Sequence, residues 1–132
     1  NAMGAAPGTL TNLLSSYNLN VDAPASSGTV SIAAGGSGSL NAESGLITIT
    51  GLNAAAGANQ IVTVNNSTIL ATSNIVATLN NYTGTWVTDG EPWLAQVSIA
   101  AGLMEIRIVN ANDTNALNGN ATISFKVGQV IK

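Results

Sequence analysis

The closest pair of acidic side chains in the sequence is Asp89 and Glu91, which flank Gly90. Two carboxylates at this spacing could give oxygen ligands to Ca²⁺, but that ion takes about six to eight ligands. The surrounding residues do not repeat the alternating acidic spacing of a calcium loop. We therefore interpret the pair as part of a turn, and we predict no metal site and no cofactor.

Aromatic side chains stand on both sides of this turn. Rings beside carboxylates and amides suit carbohydrate binding, because rings stack on the C–H faces of sugars while polar groups fix orientation. We predict that Tyr82, Trp86, Asp89 and Trp93 are ligand or partner contacts. Three interpretations stay open: Trp93 lies in the core while Trp86 caps one end of the domain, the aromatic cluster joins subunits, or it forms a glycan platform.

Groups that catalyse reactions near neutral pH are scarce in this chain. It contains no His and no Cys, which excludes a Ser-His-Asp triad and thiolate chemistry. Six acidic residues permit a pair of glycosidase carboxylates in principle, but no particular pair is indicated. We predict that the protein is not an enzyme.

The composition indicates a lightly charged β scaffold. Charged residues make up 7% of the 132 residues, against about 25% in typical soluble proteins. A net charge of −3 with three basic residues argues against nucleic-acid binding. No apolar run reaches the length of a membrane helix, so we predict no membrane insertion. With 4% aromatic residues the core is lean, which favours oligomerisation.

The first part of the chain has its own pattern, and we interpret residues 1–3 as a cloning remnant that ends in the initiating Met, with no signal peptide after it. Residues 4–27 are predicted to be an arm and linker. Within it, Leu10, Leu13, Leu14 and Tyr17 share one face of a short predicted helix. Because so short a helix is unstable alone, we expect it to dock on its own domain or on a neighbouring subunit.

Residues 28–132 are predicted to form the folded domain, because the apolar pattern changes there to period two. Runs of this kind, separated by turns rich in Gly and Asn, predict an all-β fold, an antiparallel β-sandwich of about seven strands that is immunoglobulin-like or jelly-roll-like. The predicted strands are 29–33, 46–50, 60–64, 74–79, 93–99, 103–109 and 121–127. In the fifth strand, Trp93, Ala95, Val97 and Ile99 share a predicted face.

The last two predicted strands have the clearest faces. Glu105 and Arg107 alternate with three apolar residues on the sixth strand, and Lys126 lies among three apolar residues on the seventh. We expect these strands to pair as a hairpin that brings the three charges together on the solvent side. The inward residues would be Met104, Ile106, Ile108, Ile123, Phe125 and Val127.

The connection over residues 110–120 is rich in Asn, and we expect it to pack Leu117 inward and to leave its Asn and Asp side chains at the surface. Asn-x-Ser/Thr tripeptides occur here and elsewhere in the chain. We interpret them as chance matches that are not glycosylated. They begin at Asn65, Asn66, Asn81, Asn112 and Asn120.

Four segments carry a resemblance to known proteins: residues 45–58 with the sequence GLITITGLNAAAGA, 69–73 with ILATS, 103–110 with LMEIRIVN and 116–119 with ALNG. Together they resemble small, low-charge β-sandwich virion proteins of bacteriophages and algal viruses, over roughly residues 40–128. The resemblance implies a capsid-decoration or tail-fibre role, often as a trimer, and no catalytic residues.

We therefore predict a non-enzymatic structural protein of a virion, made in the host cytoplasm and acting through subunit assembly. Its predicted partners are its own copies in a homotrimer, other virion proteins and, through the aromatic residues, a host surface glycan. Two alternatives stay open: a carbohydrate-binding module, and a bacterial surface or matrix subunit that assembles by strand donation.

Overall fold

The structure, a computed structural model, describes residues 26–129. This range contains eight β-strands and no helix. The strands are β1 (Ser27–Ala33), β2 (Ser37–Ser39), β3 (Ser44–Leu52), β4 (Asn59–Asn65), β5 (Ser73–Tyr82), β6 (Pro92–Ala100), β7 (Leu103–Asn110) and β8 (Gly119–Gln129). The predicted arm helix with Leu10, Leu13, Leu14 and Tyr17 lies outside the described residues.

Two mixed sheets of four strands pack face to face, which confirms the predicted β-sandwich. Sheet A has the order β1-β3-β8-β5, and sheet B has the order β2-β4-β7-β6. The prediction of wholly antiparallel sheets is wrong, because β1 pairs in parallel with β3 and β2 pairs in parallel with β4. Strands β1 and β3 lie in sheet A, and β2 and β4 lie in sheet B. Because successive strands run in opposite directions, β1 and β3 run the same way, and so do β2 and β4.

All seven predicted strands are present, and the structure adds an eighth, β2, in a Gly- and Ser-rich segment between the first two predicted strands. Its sequence Ser-Gly-Ser has no apolar alternation, so the pattern could not reveal it. The core lies between the sheets, where β3 and β8 place Ile47 directly opposite Ile123 in the register. The core is aliphatic apart from Met104 and Phe125.

Strand β6 does not keep the single apolar face that its sequence predicted. The pairing with β7 slips between Leu94 and Gln96, which is a β-bulge. A bulge inserts one residue and so exchanges the two faces of the strand beyond it. As a result Leu94, Val97 and Ile99 pack against the core, whereas Trp93 is exposed.

The predicted hairpin between β7 and β8 is also wrong. Strand β7 pairs with β4 and β6 in sheet B, and β8 pairs with β3 and β5 in sheet A. The connection between them crosses from one sheet to the other, so Glu105 and Arg107 lie on the outer face of sheet B and Lys126 lies on that of sheet A. The six predicted inward residues of the two strands are all buried, as expected.

Candidate functional site

Three connections meet at one end of the sandwich, which we call the tryptophan end. They are residues 53–58 after β3, 83–91 after β5 and 111–118 after β7. The opposite end, the arm end, holds residues 40–43, 66–72 and 101–102, together with Ser26, where the described chain begins. The four residues predicted as ligand or partner contacts are on the connection 83–91 or in the strands beside it.

Two of those four residues hold the loop rather than face solvent. The hydroxyl of Tyr82 donates to the carbonyl of Asp89 at 2.5 Å and accepts from the backbone N–H of Asn118 at 2.8 Å. The carboxylate of Asp89 accepts from the backbone N–H of Thr85 at 2.7 Å. Asp89 lies in a tight turn, closed by an N–H of Gly90 that donates to the carbonyl of Val87 at 3.2 Å. Asp89 therefore lies in a turn, as interpreted, whereas Glu91 directly follows that turn.

The two Trp side chains are both open to solvent. Trp86 is 56% exposed at the tip of the connection, and Trp93 is 58% exposed on the outer face of sheet B, opposite Val109 in the register. The interpretation of Trp93 as a core residue is wrong, because it precedes the bulge and so faces outward. The other two interpretations, a subunit contact and a glycan platform, stay predictions.

A buried Asn that sequence analysis placed at the surface connects the three loops of the tryptophan end. Asn110 is fully buried. Its amide group donates to the carbonyls of Ala54 at 3.1 Å and Asn115 at 2.8 Å. Its side-chain oxygen accepts from the N–H groups of Glu91 and Asn112, both at 3.0 Å. One side chain thus satisfies backbone groups on residues 53–58, 83–91 and 111–118.

The tip that carries Trp86 has a strained backbone. Val87 has a φ of 77°, the only positive φ at a non-glycine residue in the described range. A β-branched side chain is disfavoured there, at a cost of about 1–3 kcal/mol. The carbonyl of Val87 accepts from the side-chain amides of Asn112 and Asn115, both at 3.1 Å. These two hydrogen bonds fix the strained residue in place.

Two of the Asn-x-Ser/Thr tripeptides form the same turn at opposite ends of the domain. At the tryptophan end, the side-chain oxygen of Asn112 accepts from the N–H of Thr114 at 2.8 Å and from its hydroxyl at 3.1 Å. At the arm end, that of Asn66 accepts from the N–H of Thr68 at 3.0 Å and from its hydroxyl at 2.8 Å. Asn66 and Asn112 are buried. The tripeptides were the sequence signal for Asn66 and Asn112, and in the structure each of the two forms a local turn.

The outer face of sheet A carries exposed apolar side chains near the arm end. Val76 is 62% exposed and pairs with Lys126 in the register, and Leu46 is 40% exposed beside Ser124. Leu70, in the connection that leads into β5, is 54% exposed. These exposed residues were not predicted, because a period-two pattern marks the buried face of a strand and says nothing about apolar residues on the opposite face.

Within residues 26–129, no three acidic side chains lie close enough together to hold a metal ion. No helix in that range is long and apolar enough to cross a membrane. Every buried side-chain nitrogen or oxygen that the structure describes has a hydrogen-bond partner. The polar groups of the interior are therefore engaged in holding the fold.

Comparison with known proteins finds no matching family model, no matching curated protein and no matching solved structure.

Proposed function

We propose that this chain is a non-enzymatic structural protein of a virion, of the capsid-decoration or tail-fibre kind. It acts by forming a homotrimer and by binding other virion proteins. The observation that carries the proposal is the exposure of large apolar side chains at both ends of a rigid scaffold. Trp86, Trp93, Val76 and Leu70 are each more than half exposed. Isolated exposed apolar residues are ordinary, but Trp is a residue that protein interfaces favour.

The way the scaffold is stabilised also supports assembly as its role. Buried Asn side chains join the loops of the tryptophan end, so the exposed residues there are presented on a fixed frame. The carboxylate of Asp89, which is the acidic group nearest to Trp86 in sequence, already accepts a backbone hydrogen bond. A preformed surface loses little conformational freedom on binding, which favours association.

The class of sandwich belongs to the same proposal. Eight strands in two sheets of four match the strand count of a jelly roll. The parallel pairs at the edges of both sheets depart from the purely antiparallel form of that class and of the immunoglobulin-like class. We propose a variant of one of these two folds.

The test of this proposal is removal of residues 4–25. The deletion should stop at Ala25, because the carbonyl of Ser26 accepts from the N–H groups of Glu43 and Ser44, both at 3.2 Å. We expect the full chain to sediment as a trimer and the shortened chain as a folded monomer. Circular dichroism and thermal melting provide the control for folding. A full chain that sediments as a monomer would overturn the proposal, and an unfolded product would assign the arm to the core.

A second candidate function, carbohydrate binding, is favoured by the exposure of both Trp side chains. The Trp86→Ala and Trp93→Ala variants should each lose binding on a glycan array at an unchanged melting temperature. Val76→Ala, at the other end of the molecule, is the matched control and should bind like the parent chain. If no glycan is retained by the parent chain, this candidate is eliminated.

A further inference from the structure

We infer that residues 4–25, the part of the arm outside the described range, cover the outer face of sheet A of a second copy of this chain, around Leu46 and Val76. The inference rests on the proposed assembly and adds the surface on which it takes place. The described chain begins beside this face. Ser27 lies in the same cross-strand row as Ser44, Lys126 and Val76. The arm therefore leaves each subunit beside the apolar part of this face.

The length of the arm agrees with this surface. The nine residues 18–26 separate Tyr17 from β1, and an extended chain of that length spans about 30 Å. Strands lie about 4.8 Å apart, so Val76 is about 14 Å from Ser27 across the sheet. The arm is therefore long enough to reach this face of its own subunit and to extend beyond it, and the proposed assembly places the face that it covers on an adjacent copy.

The apolar spacing also agrees. Leu46 and Val76 are two strands and two residues apart, which corresponds to about 12 Å. In a helix, Leu10 and Tyr17 would be about 10.5 Å apart along the axis, with Leu13 and Leu14 between them on the same face. A helix laid diagonally over β8 would place its two end residues over the two exposed apolar side chains.

The charges of the two surfaces are complementary. Asp22 is the one charged side chain in residues 1–25 of the sequence. Lys126 is the one charged side chain on the strands of sheet A that points to the outer face in the described range, where its neighbours are Ser, Thr, Leu and Val. Sheet B instead presents both an acidic and a basic side chain, Glu105 and Arg107, two residues apart on the outer face of β7. The acidic arm therefore matches sheet A better than sheet B.

Because the chain has no Cys, a pair of introduced thiols gives an unambiguous test. Full-length Leu14→Cys and Val76→Cys chains are mixed in urea, refolded together, treated with a short bismaleimide, and resolved on a denaturing gel, with mass spectrometry to assign the link. Cys is also introduced at Leu10, Leu13 or Tyr17 in place of Leu14, one position at a time, so that an unfavourable geometry at one position does not decide the result. Gln96→Cys, exposed on the outer face of sheet B, is the matched control.

We expect covalent dimers that join the arm to position 76, and none that join it to position 96. Equal linking to both positions, or no link to position 76, would overturn the inference. A link found only within single chains of the Leu14→Cys/Val76→Cys double variant would overturn it too, because the arm would then cover its own subunit. Light scattering on the same samples distinguishes the proposed trimer from the proposed docking surface. A trimer without the 14–76 link would contradict only the docking surface, and a monomer would contradict both proposals.

A charge exchange provides an independent check. Lys126→Glu should lower the yield of the 14–76 link about two- to fivefold at low salt, the range expected for one exposed ion pair. With Lys126→Glu in the Val76→Cys chain, Asp22→Lys in the Leu14→Cys chain should restore the yield. Arg107→Glu, on the other sheet, should leave it unchanged. A yield that responds equally to Lys126→Glu and Arg107→Glu would contradict docking on sheet A.

Discussion

At the tryptophan end of the sandwich, Asn112 closes a turn with Thr114, and at the arm end Asn66 closes the same turn with Thr68. The two ends differ in what surrounds that turn. Asn110 adds four hydrogen bonds that join all three loops of the tryptophan end. The amide of Asn66 instead makes one bond to a neighbouring loop, to the carbonyl of Ala42 at 2.7 Å.

This difference separates two kinds of surface. The tryptophan end is cross-linked by buried polar groups and holds Trp86 on a strained tip, as suits a preformed contact. The arm end is where the described chain begins, and its exposed residues Leu46, Leu70 and Val76 are aliphatic. We interpret the arm end as the place where subunits join, and the tryptophan end as a rigid contact for another molecule.

The largest expected effect is at the Asn residue that joins the loops. Asn110→Ala should lower the free energy of unfolding by about 3 kcal/mol, because four backbone groups lose their partner and each buried unsatisfied group costs about 1–3 kcal/mol before water enters. Asn66→Ala should cost about 2 kcal/mol on the same grounds. Urea denaturation measures both. Asn118→Ala, exposed in the same loop region, is the control, and a smaller loss for Asn110→Ala than for Asn66→Ala would reverse the comparison.

The next prediction compares two residues of the tryptophan end: Tyr82, whose hydroxyl holds the loop, and Trp86, whose side chain is exposed. Tyr82→Phe should cost about 1.5 kcal/mol of unfolding free energy, since the hydroxyl connects Asp89 to Asn118. Trp86→Ala should change stability by less than about 0.5 kcal/mol, as is usual at exposed sites. Thermal melting of the two variants side by side checks this order. A large loss for Trp86→Ala would show that its ring supports the fold.

The turn between an Asn and a Thr side chain should contribute a similar free energy of unfolding at both ends of the domain. Thr114→Val and Thr68→Val each remove the hydroxyl that donates to an Asn side chain and keep the shape of the residue. We expect each to lose about 1 kcal/mol, the usual net contribution of one hydrogen bond. Thr68 should lose slightly more, since its hydroxyl also lies 3.1 Å from the carbonyl of Ala42. Loss at one end only would show that the two turns are not equivalent.

The smallest expected effect is a gain in stability. Val87→Gly should raise the unfolding free energy by about 0.5–1 kcal/mol, because glycine adopts a φ of 77° without the penalty of a β-branched residue, and this relief exceeds the extra chain entropy that glycine loses on folding. Gly90→Ala is the opposite control. Gly90 has a φ of 80°, and a methyl group there would lie 2.8 Å from Leu117. A destabilised Val87→Gly would show that the Val side chain, although exposed, makes contacts that outweigh the strain.

The period-two pattern was sufficient to predict seven strands and the buried faces of β7 and β8, because alternation is a local property of a half-buried strand. It could not place β7 and β8 in different sheets, since pairing depends on contacts far apart in sequence. The exposure of Trp93 was missed because one bulge, between Leu94 and Gln96, exchanged the faces of β6. Asn110 and Asn112 were assigned to the surface by their polarity, although Asn110 is fully buried and Asn112 nearly so, with their hydrogen bonds satisfied.

We propose that this domain works by binding copies of itself. The mass of the intact chain in solution, measured by light scattering over a dilution series, tests this proposal. A homotrimer would give a mass of three times the 13.2 kDa of one chain, constant on dilution. A mass of one chain at every concentration would contradict it.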